Sequence, residues 1–253
     1  MRNILILLML GLLLPSYAGQ CEEVSGKIIN VKIAKHSDLK DTREANKFLT
    51  ETIKSINKMN RPPKGGVNDE ELSALYEVAK KYPASKAALR AKYMIGNAYF
   101  LYGSCGESKN ATICFEDIIA NYPDTFEAKM SQAQLYSMQL REIENQNDRN
   151  LILHQLIIAL QDALPYAAIL DGKEDELSKT FRIRMAGSSG SELVPLLKID
   201  VAQATYETGE TEQGKKLYKE IMEEYSNSLY SVKASRRLCR STSRSRHSDR
   251  CGI

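Results

Sequence analysis

The sequence predicts an all-α protein built from helical hairpins that stack on one another. Three observations predict it. Ala91–Gly103 sets small residues (Ala91, Gly96, Ala98) among bulky ones (Tyr93, Ile95, Tyr99, Phe100) at helical spacing. Only a closely approaching neighbour helix can bury such a face. A motif also recurs: Leu75-x-x-Val78-x-x-x-Tyr82-Pro83-x-Ser85 matches Phe115-x-x-Ile118-x-x-x-Tyr122-Pro123-x-Thr125 and Tyr218-x-x-Ile221-x-x-x-Tyr225-Ser226-x-Ser228. In each copy a small residue (Ala91, Ser131, Ala234) stands nine positions past the tyrosine. Finally, apolar residues recur at three- and four-residue steps through most of the body, the period of an amphipathic helix.

Taken in order, residues 1–18 read as a signal segment. Arg2 supplies the positive charge, Ile4–Leu14 the apolar run, and Ser16-Tyr17-Ala18 a small-x-small cleavage site. Residues 19–66 form an N-terminal arm and one amphipathic helix. The arm alternates at Ile29, Val31 and Ile33, as a brief strand would. The helix runs from about Asp41 to Met59, with Ala45, Phe48, Leu49, Thr52, Ile53 and Ile56 on one face, and ends before the linker Arg61-Pro62-Pro63-Lys64-Gly65-Gly66. Residues 67–145 hold the clearest hairpins. Asn68 caps a helix with Glu71 as its capping-box partner, and Leu72, Leu75, Val78, Ala79 and Tyr82 form its buried face. Tyr82-Pro83 closes that helix and Ser85 caps the next. After a long turn at 103–108, Ala111, Phe115 and Ile118 mark a helix that stops at Tyr122-Pro123.

Residues 146–190 carry no recognisable copy of the motif. Leu151–Leu164 and Glu174–Met185 read as helices of diverged pairs, and Gly187-Ser188-Ser189-Gly190 as a break. Residues 191–238 form the last hairpin, starting at Ser191 or a neighbour. Val201, Ala202, Ala204 and Tyr206 lie on its first helix, Gly214, Tyr218 and Ile221 on its second, and a terminal helix spans 228–238. The Arg/Ser-rich tail, 239–253, is expected to be disordered from Arg240.

Helix, turn, helix and terminal proline, with the run Ala91-x-Tyr93-x-Ile95-Gly96-Asn97-Ala98-Tyr99, resemble the tetratricopeptide repeat. The resemblance covers about residues 69–140 and 191–238. Its spacing is irregular: Tyr82 to Tyr122 is 40 residues, against about 34 in the family. The resemblance implies an α-α solenoid wound as a short right-handed superhelix, and a role in binding. The Tyr-Pro-x-Ser/Thr ending before an alanine-rich helix is similar to exported bacterial members, those of outer-membrane assembly and of the Tol-Pal system among them. By the same resemblance Arg90, Tyr93, Asn97, Phe100 and Leu101 match ligand-contacting positions on a first helix, with Gln203 and Tyr206 on the matching face of the last unit. An asparagine at 97 offers a donor and an acceptor to a ligand backbone. The competing reading is that Tyr93 and Phe100 pack the next helix.

Charge is informative once divided. Gly19–Ser235 carries 28 Lys and Arg against 31 Asp and Glu, whereas Arg236–Ile253 has six Arg and one Asp. The basic excess therefore sits in the tail, and the body has no footprint for nucleic acid. No stretch after the signal segment reads as long and apolar enough to cross a membrane. Of five cysteines, Cys105 with Cys114 and Cys239 with Cys251 are within reach of pairing after export, which leaves Cys21 over. Cys21 is either a thiol of a soluble exported chain or a lipidated anchor, the one route by which a membrane enters the reading.

The sequence offers no chemistry. His36, His154 and His247 stand apart without metal-ligand spacing, so no metal site is expected. Gly187–Ser191 lacks a Gly-x-Ser-x-Gly elbow, and no phosphate loop or dinucleotide fingerprint occurs. The expectation is a protein without cofactor or catalytic residues: an exported adaptor that binds another envelope protein or peptide segment, or a structural subunit that self-associates.

Overall fold

The computed structural model describes residues 33, 39–59, 68–102, 108–186 and 191–245. Among them are ten helices and, in place of a sheet, one isolated bridge between Lys40 and Ser85. The signal segment, most of the N-terminal arm, Cys21, Cys105, Cys251, the linker 61–66, the break 187–190 and the end of the tail lie outside the described residues.

Helix α1 (Arg43–Ile56) is capped by Thr42, whose hydroxyl accepts from the Ala45 amide. Of the face its period predicts, Ala45, Leu49, Ile53 and Ile56 are buried and Phe48 and Thr52 half-buried, and Thr50 is buried beside them. Helix α2 (Asp69–Lys81) starts at Asn68, whose Oδ1 accepts from the Glu70 and Glu71 amides at 2.9 and 3.3 Å. Half of the expected capping box is realised. The Glu71 carboxylate pairs with Arg184 far along the chain.

Helices α3 (Lys86–Tyr102), α4 (Ser108–Asn121) and α5 (Phe126–Glu142) follow as neighbours, each packed on the one before. Their joints explain the repeated motif. Tyr82 and Tyr122 each donate a backbone N–H four residues back, to Val78 and Ile118. The Ser85 and Thr125 hydroxyls then donate to the Tyr82 and Tyr122 carbonyls, both at 2.8 Å, and accept from the amides of Ala88 and Ala128. One hydroxyl thus ends one helix and caps the next. The third copy repeats every bond: Tyr225 to Ile221, Ser228 to Tyr225, and the Ser231 amide to the Ser228 hydroxyl. Ala91, Ser131 and Ala234 are each fully buried where helices meet.

Glycine marks the closest approaches. A Cβ on Gly96 of α3 would lie 2.7 Å from the Phe115 ring of α4 and 3.2 Å from Cys114 Cβ. In the last unit a Cβ on Gly214 would lie 2.8–2.9 Å from Tyr206.

The middle departs from the expected diverged pairs. Helix α6 (Gln146–Asp171) is a single element of 26 residues with Pro165 inside it, and it packs on both α5 and α8 (Val194–Glu207). Helix α7 (Glu176–Ala186) leaves the succession and packs against α1 and α6. Contrary to the sequence expectation, α6 is long and apolar enough by composition to cross a membrane. Leu153, Leu156, Leu160, Ala163 and Ala167 nevertheless bury one of its faces in the core, and Leu151, Ile158 and Ile169 stay exposed on another.

The last unit comprises α8, α9 (Thr211–Glu224) and α10 (Leu229–Ser245). Helix α8 starts at Val194, a few residues after Ser191, with no side-chain cap from Leu193. The Asp171 carboxylate, from the end of α6, accepts from the Leu193 and Val194 amides at 2.8–2.9 Å instead. Helix α10 continues past Leu238 to Ser245, into the stretch expected to be disordered. Its register explains this: Ala234, Arg237 and Ser241 form a buried stripe, and the Tyr206 hydroxyl donates to the Ser241 carbonyl at 3.1 Å. Arginine is also a good helix former.

The approach at Gly96 makes a paired prediction. Gly96→Ala forces the Phe115 ring to move and should lose about 1–2 kcal/mol, because overpacking outweighs the gain in helix propensity. At Gly172, where a Cβ would meet nothing closer than 3.5 Å, Gly172→Ala should be neutral or stabilising by up to about 1 kcal/mol. Urea midpoints for the two variants check both signs.

Candidate functional site

The expected ligand-contacting residues of the first helix lie together on α3, and the structure covers them. Tyr93 is fully buried, and Arg90, Asn97 and Phe100 are buried as well, while Leu101 is half-buried. Part of the cover is α5, which packs directly on α3. The rest is α7. Phe181 of α7 sits with its ring centroid 6.5 Å from Tyr93 and 6.4 Å from Phe126, the latter edge-on. The Arg90 guanidinium lies 5.1 Å over the Phe181 ring and 3.4 Å from the Glu127 carboxylate. One turn on, the Asn97 amide nitrogen points at the Met185 sulfur 3.9 Å away, while its oxygen accepts from Gln134 Nε2 at 3.0 Å. An α3–α5 face that the sequence presents as a groove is therefore filled by a helix of the same chain.

Phe100 has a different cover. Arg141 of α5 lies 4.1 Å over its ring and donates to its carbonyl at 3.3 Å. Burial lowers the pKa of this guanidinium to about 10. In the last unit, Gln203 is buried on α8, where it accepts from the Tyr218 hydroxyl at 2.7 Å and donates to Glu207 at 2.8 Å. Tyr206 is half-buried and tied to α10. The structure does not bring these two beside the α3 set.

Two buried hydroxyls, one on α3 and one on α5, stand apart from these contacts. The Tyr93 hydroxyl and the Ser131 hydroxyl are sealed from solvent without a hydrogen-bond partner. Burial raises the pKa of the Tyr93 phenol, and the Asn97 and Gln134 amides beside it oppose that rise without reaching hydrogen-bond geometry. Against Tyr93 and Asn97 α7 offers a phenyl ring and a thioether.

Helix α7 is held by its arginines and by ion pairs at its rim. Arg182 donates through Nη1 to the Leu170, Asp171 and Lys173 carbonyls at the end of α6, and through Nε to the Ser191 carbonyl at 3.1 Å. Arg184 pairs with Glu71 of α2 and donates to Asn57 at 3.0 Å, and Glu176 pairs with Lys54 of α1. Sequence reading gave a helix over Glu174–Met185 but not its place over the α3 residues. Its one signal was the stripe Leu177, Phe181, Met185 at four-residue steps.

A second buried polar group lies in the last unit. Burial pushes the Asp200 carboxyl up to about 7, against the pull of Lys233 and Arg237 on α10, and lowers the Lys233 ammonium to about 8. The Arg237 terminal nitrogens are sealed without hydrogen-bond partners. Among the described residues there is no cluster of His, Cys, Asp and Glu that could hold a metal ion. His154 lies 3.4 Å from Glu210 at an exposed edge.

The cysteines divide differently from the expectation. Cys114 carries a free thiol, so its pairing with Cys105 is not formed. Its side chain packs against Gly96 of α3 rather than facing the turn before α4. Burial lifts this thiol to about 11. Cys239 is disulfide-bonded, and the expected partner, Cys251, lies outside the described residues.

Comparison with protein-family models, with curated proteins and with solved structures returns no match. The likeness to the tetratricopeptide repeat therefore rests on the residues of the sequence alone.

The free, shielded thiol makes a prediction. At pH 8 the native chain should label at Cys114 with iodoacetamide at least about tenfold more slowly than a free cysteine, since only the thiolate reacts. After unfolding without reductant Cys114 should label fully, read by peptide mass. A Cys114 that stays unlabelled in the unfolded, unreduced chain would mean that it is bridged after all.

Proposed function

We propose that the chain is an adaptor of helical-hairpin repeats, a solenoid of the tetratricopeptide type, that binds another protein of the bacterial cell envelope. The observation that carries this reading is the recurrence of one joint at Tyr82, Tyr122 and Tyr225, with the same hydroxyl serving as stop and cap each time. Such a joint sets helix after helix at a similar turn, and extended stacks of this kind serve as binding surfaces. The charge-neutral body and the signal-like N-terminus support an exported protein partner rather than nucleic acid. In this reading the partner supplies an extended segment or a helix, and the chain needs no cofactor.

The α3 residues are part of that reading in a changed form. Tyr93 lies between Phe115 and Phe181. Tyr93→Ala would therefore lose stability by about 3–5 kcal/mol before it reported on any partner, which makes it a poor test of binding.

A second reading, a self-associating envelope subunit, with lipidation at Cys21 as its anchored form, is favoured by one observation. Leu151, Ile158 and Ile169 on α6, and Leu229 and Val232 on α10, are large apolar side chains exposed by 47–65%. The experiment is an affinity capture from an envelope fraction with the chain from Gly19 as bait, followed by sedimentation of the bait at several concentrations. The adaptor reading expects one dominant partner and a monomeric bait. Recovery of the bait alone, with mass rising with concentration, would replace it by the self-associating subunit.

A further inference from the structure

Helix α6 is more apolar than its place in the core requires. It has the length and composition to cross a membrane, yet its buried side chains occupy one arc, and its neighbours in the stack are α5 and α8. On the opposite arc Leu151, Ile158 and Ile169 stand exposed by 58–62%. They recur at steps of seven and eleven residues, so they fall on one line along the helix. Asp162, also exposed, lies on that line one turn after Ile158. Residues 151–169 contain no lysine or arginine.

Helix α10 carries the counterpart. Its core side holds Ala234, Arg237 and Ser241. Its outer side holds Leu229, exposed by 65%, and Val232, by 47%, and one turn on the exposed Arg236. The two outer rows match in spacing and oppose in charge. Ile158 precedes Asp162 by four residues, and Val232 precedes Arg236 by four. With the two helices laid parallel, one register sets Val232 on Ile158 and Arg236 on Asp162, and Leu229 then falls between Leu151 and Ile158. Both rows are exposed within one chain, so neither covers the other there.

We propose that the outer row of α6 docks α10 of a second copy of the chain, with Asp162 of one copy against Arg236 of the other. This rests on the self-associating reading and names the surfaces through which it acts. An adaptor built this way binds its envelope partner as an associated chain. The apolar side chains hold the two helices together, while the charge pair fixes their direction and register. Because the two rows differ, the contact is heterologous, and each copy keeps a row to offer the next. The rows are short, so the contact is weak, and its charge pair makes it weaken further with salt.

The test is sedimentation velocity of the chain from Gly19 at low salt, over about 10–200 µM. Mass should rise with concentration. Asp162→Arg and Arg236→Asp, both on exposed helix surfaces, should each weaken the association at least about tenfold, by setting like charges together. Ile158→Ser should weaken it without touching a charge. The chain with both charge exchanges, or an equimolar mixture of the two single variants, should recover it, because an opposite pair forms again. Circular dichroism checks that each variant keeps its helices. If wild type associates and the single variants associate equally well, or if the double exchange recovers nothing, the proposal is overturned while the self-associating reading stands. If wild type stays monomeric throughout, the proposal and that reading fall together and the adaptor remains. Flotation with phosphatidylcholine vesicles then decides whether a membrane, rather than a protein, covers α6.

Discussion

The insertion of Phe181 between α3 and α5 ties helix α7 to two helices far from it along the chain. It is fully buried, it touches an aromatic ring on each of the two helices, and it supports the Arg90 guanidinium, which in turn meets Glu127. Helix α7 also links the 40s and 50s of the chain to the 170s and 180s, since α1 packs on α2 and α3 and on α7. Without α7, α1 would keep its neighbours in the stack but lose the face on which α7 packs. A stack of hairpins needs only contacts between successive elements. This chain adds a long-range tie across several of them.

What was legible in the sequence was local. Ser85 and Asn68 were readable as caps because a cap acts within three residues, and both bond as their positions imply. The three-fold motif was legible because the same closure must be made each time a helix stops and the next begins. The buried stripe of α1 followed from its period alone. The limits of legibility have the same physical origin. Glu71 stands at a capping-box position, yet Arg184 approaches from more than a hundred residues away and takes its carboxylate. Asp171 binds the first amides of α8 across 22 residues, a partner that no local pattern announces. In both cases a charged partner outside the local window competes with, or replaces, the weaker local bond.

The candidate site divides along the same line. That Arg90, Tyr93, Asn97 and Phe100 share one face of α3 was readable from helical spacing, and they do. That this face is covered was not readable, because the cover is an eleven-residue helix whose own stripe is a single row of Leu177, Phe181 and Met185. A single row looks the same whether it packs a neighbour in the stack or crosses to a distant pair. The tail failed for a different reason: Arg and Ser content suggests disorder, but Arg237 and Ser241 recur one turn apart on the side of α10 that faces α8 and α9, and burial of that stripe outweighs composition.

The most direct test of this account is a double-mutant cycle on Arg184 and Glu71. The two side chains are 20% and 12% exposed and lie 113 residues apart, so they interact only if α7 is seated against α2 as described. The cycle uses Arg184→Ala, Glu71→Ala and the double variant, with unfolding free energies from urea titration. A coupling energy of about 1–2 kcal/mol is expected for a charged pair at this degree of burial. A coupling within about 0.3 kcal/mol of zero would contradict the seat of α7, and with it the closure of the α3–α5 face.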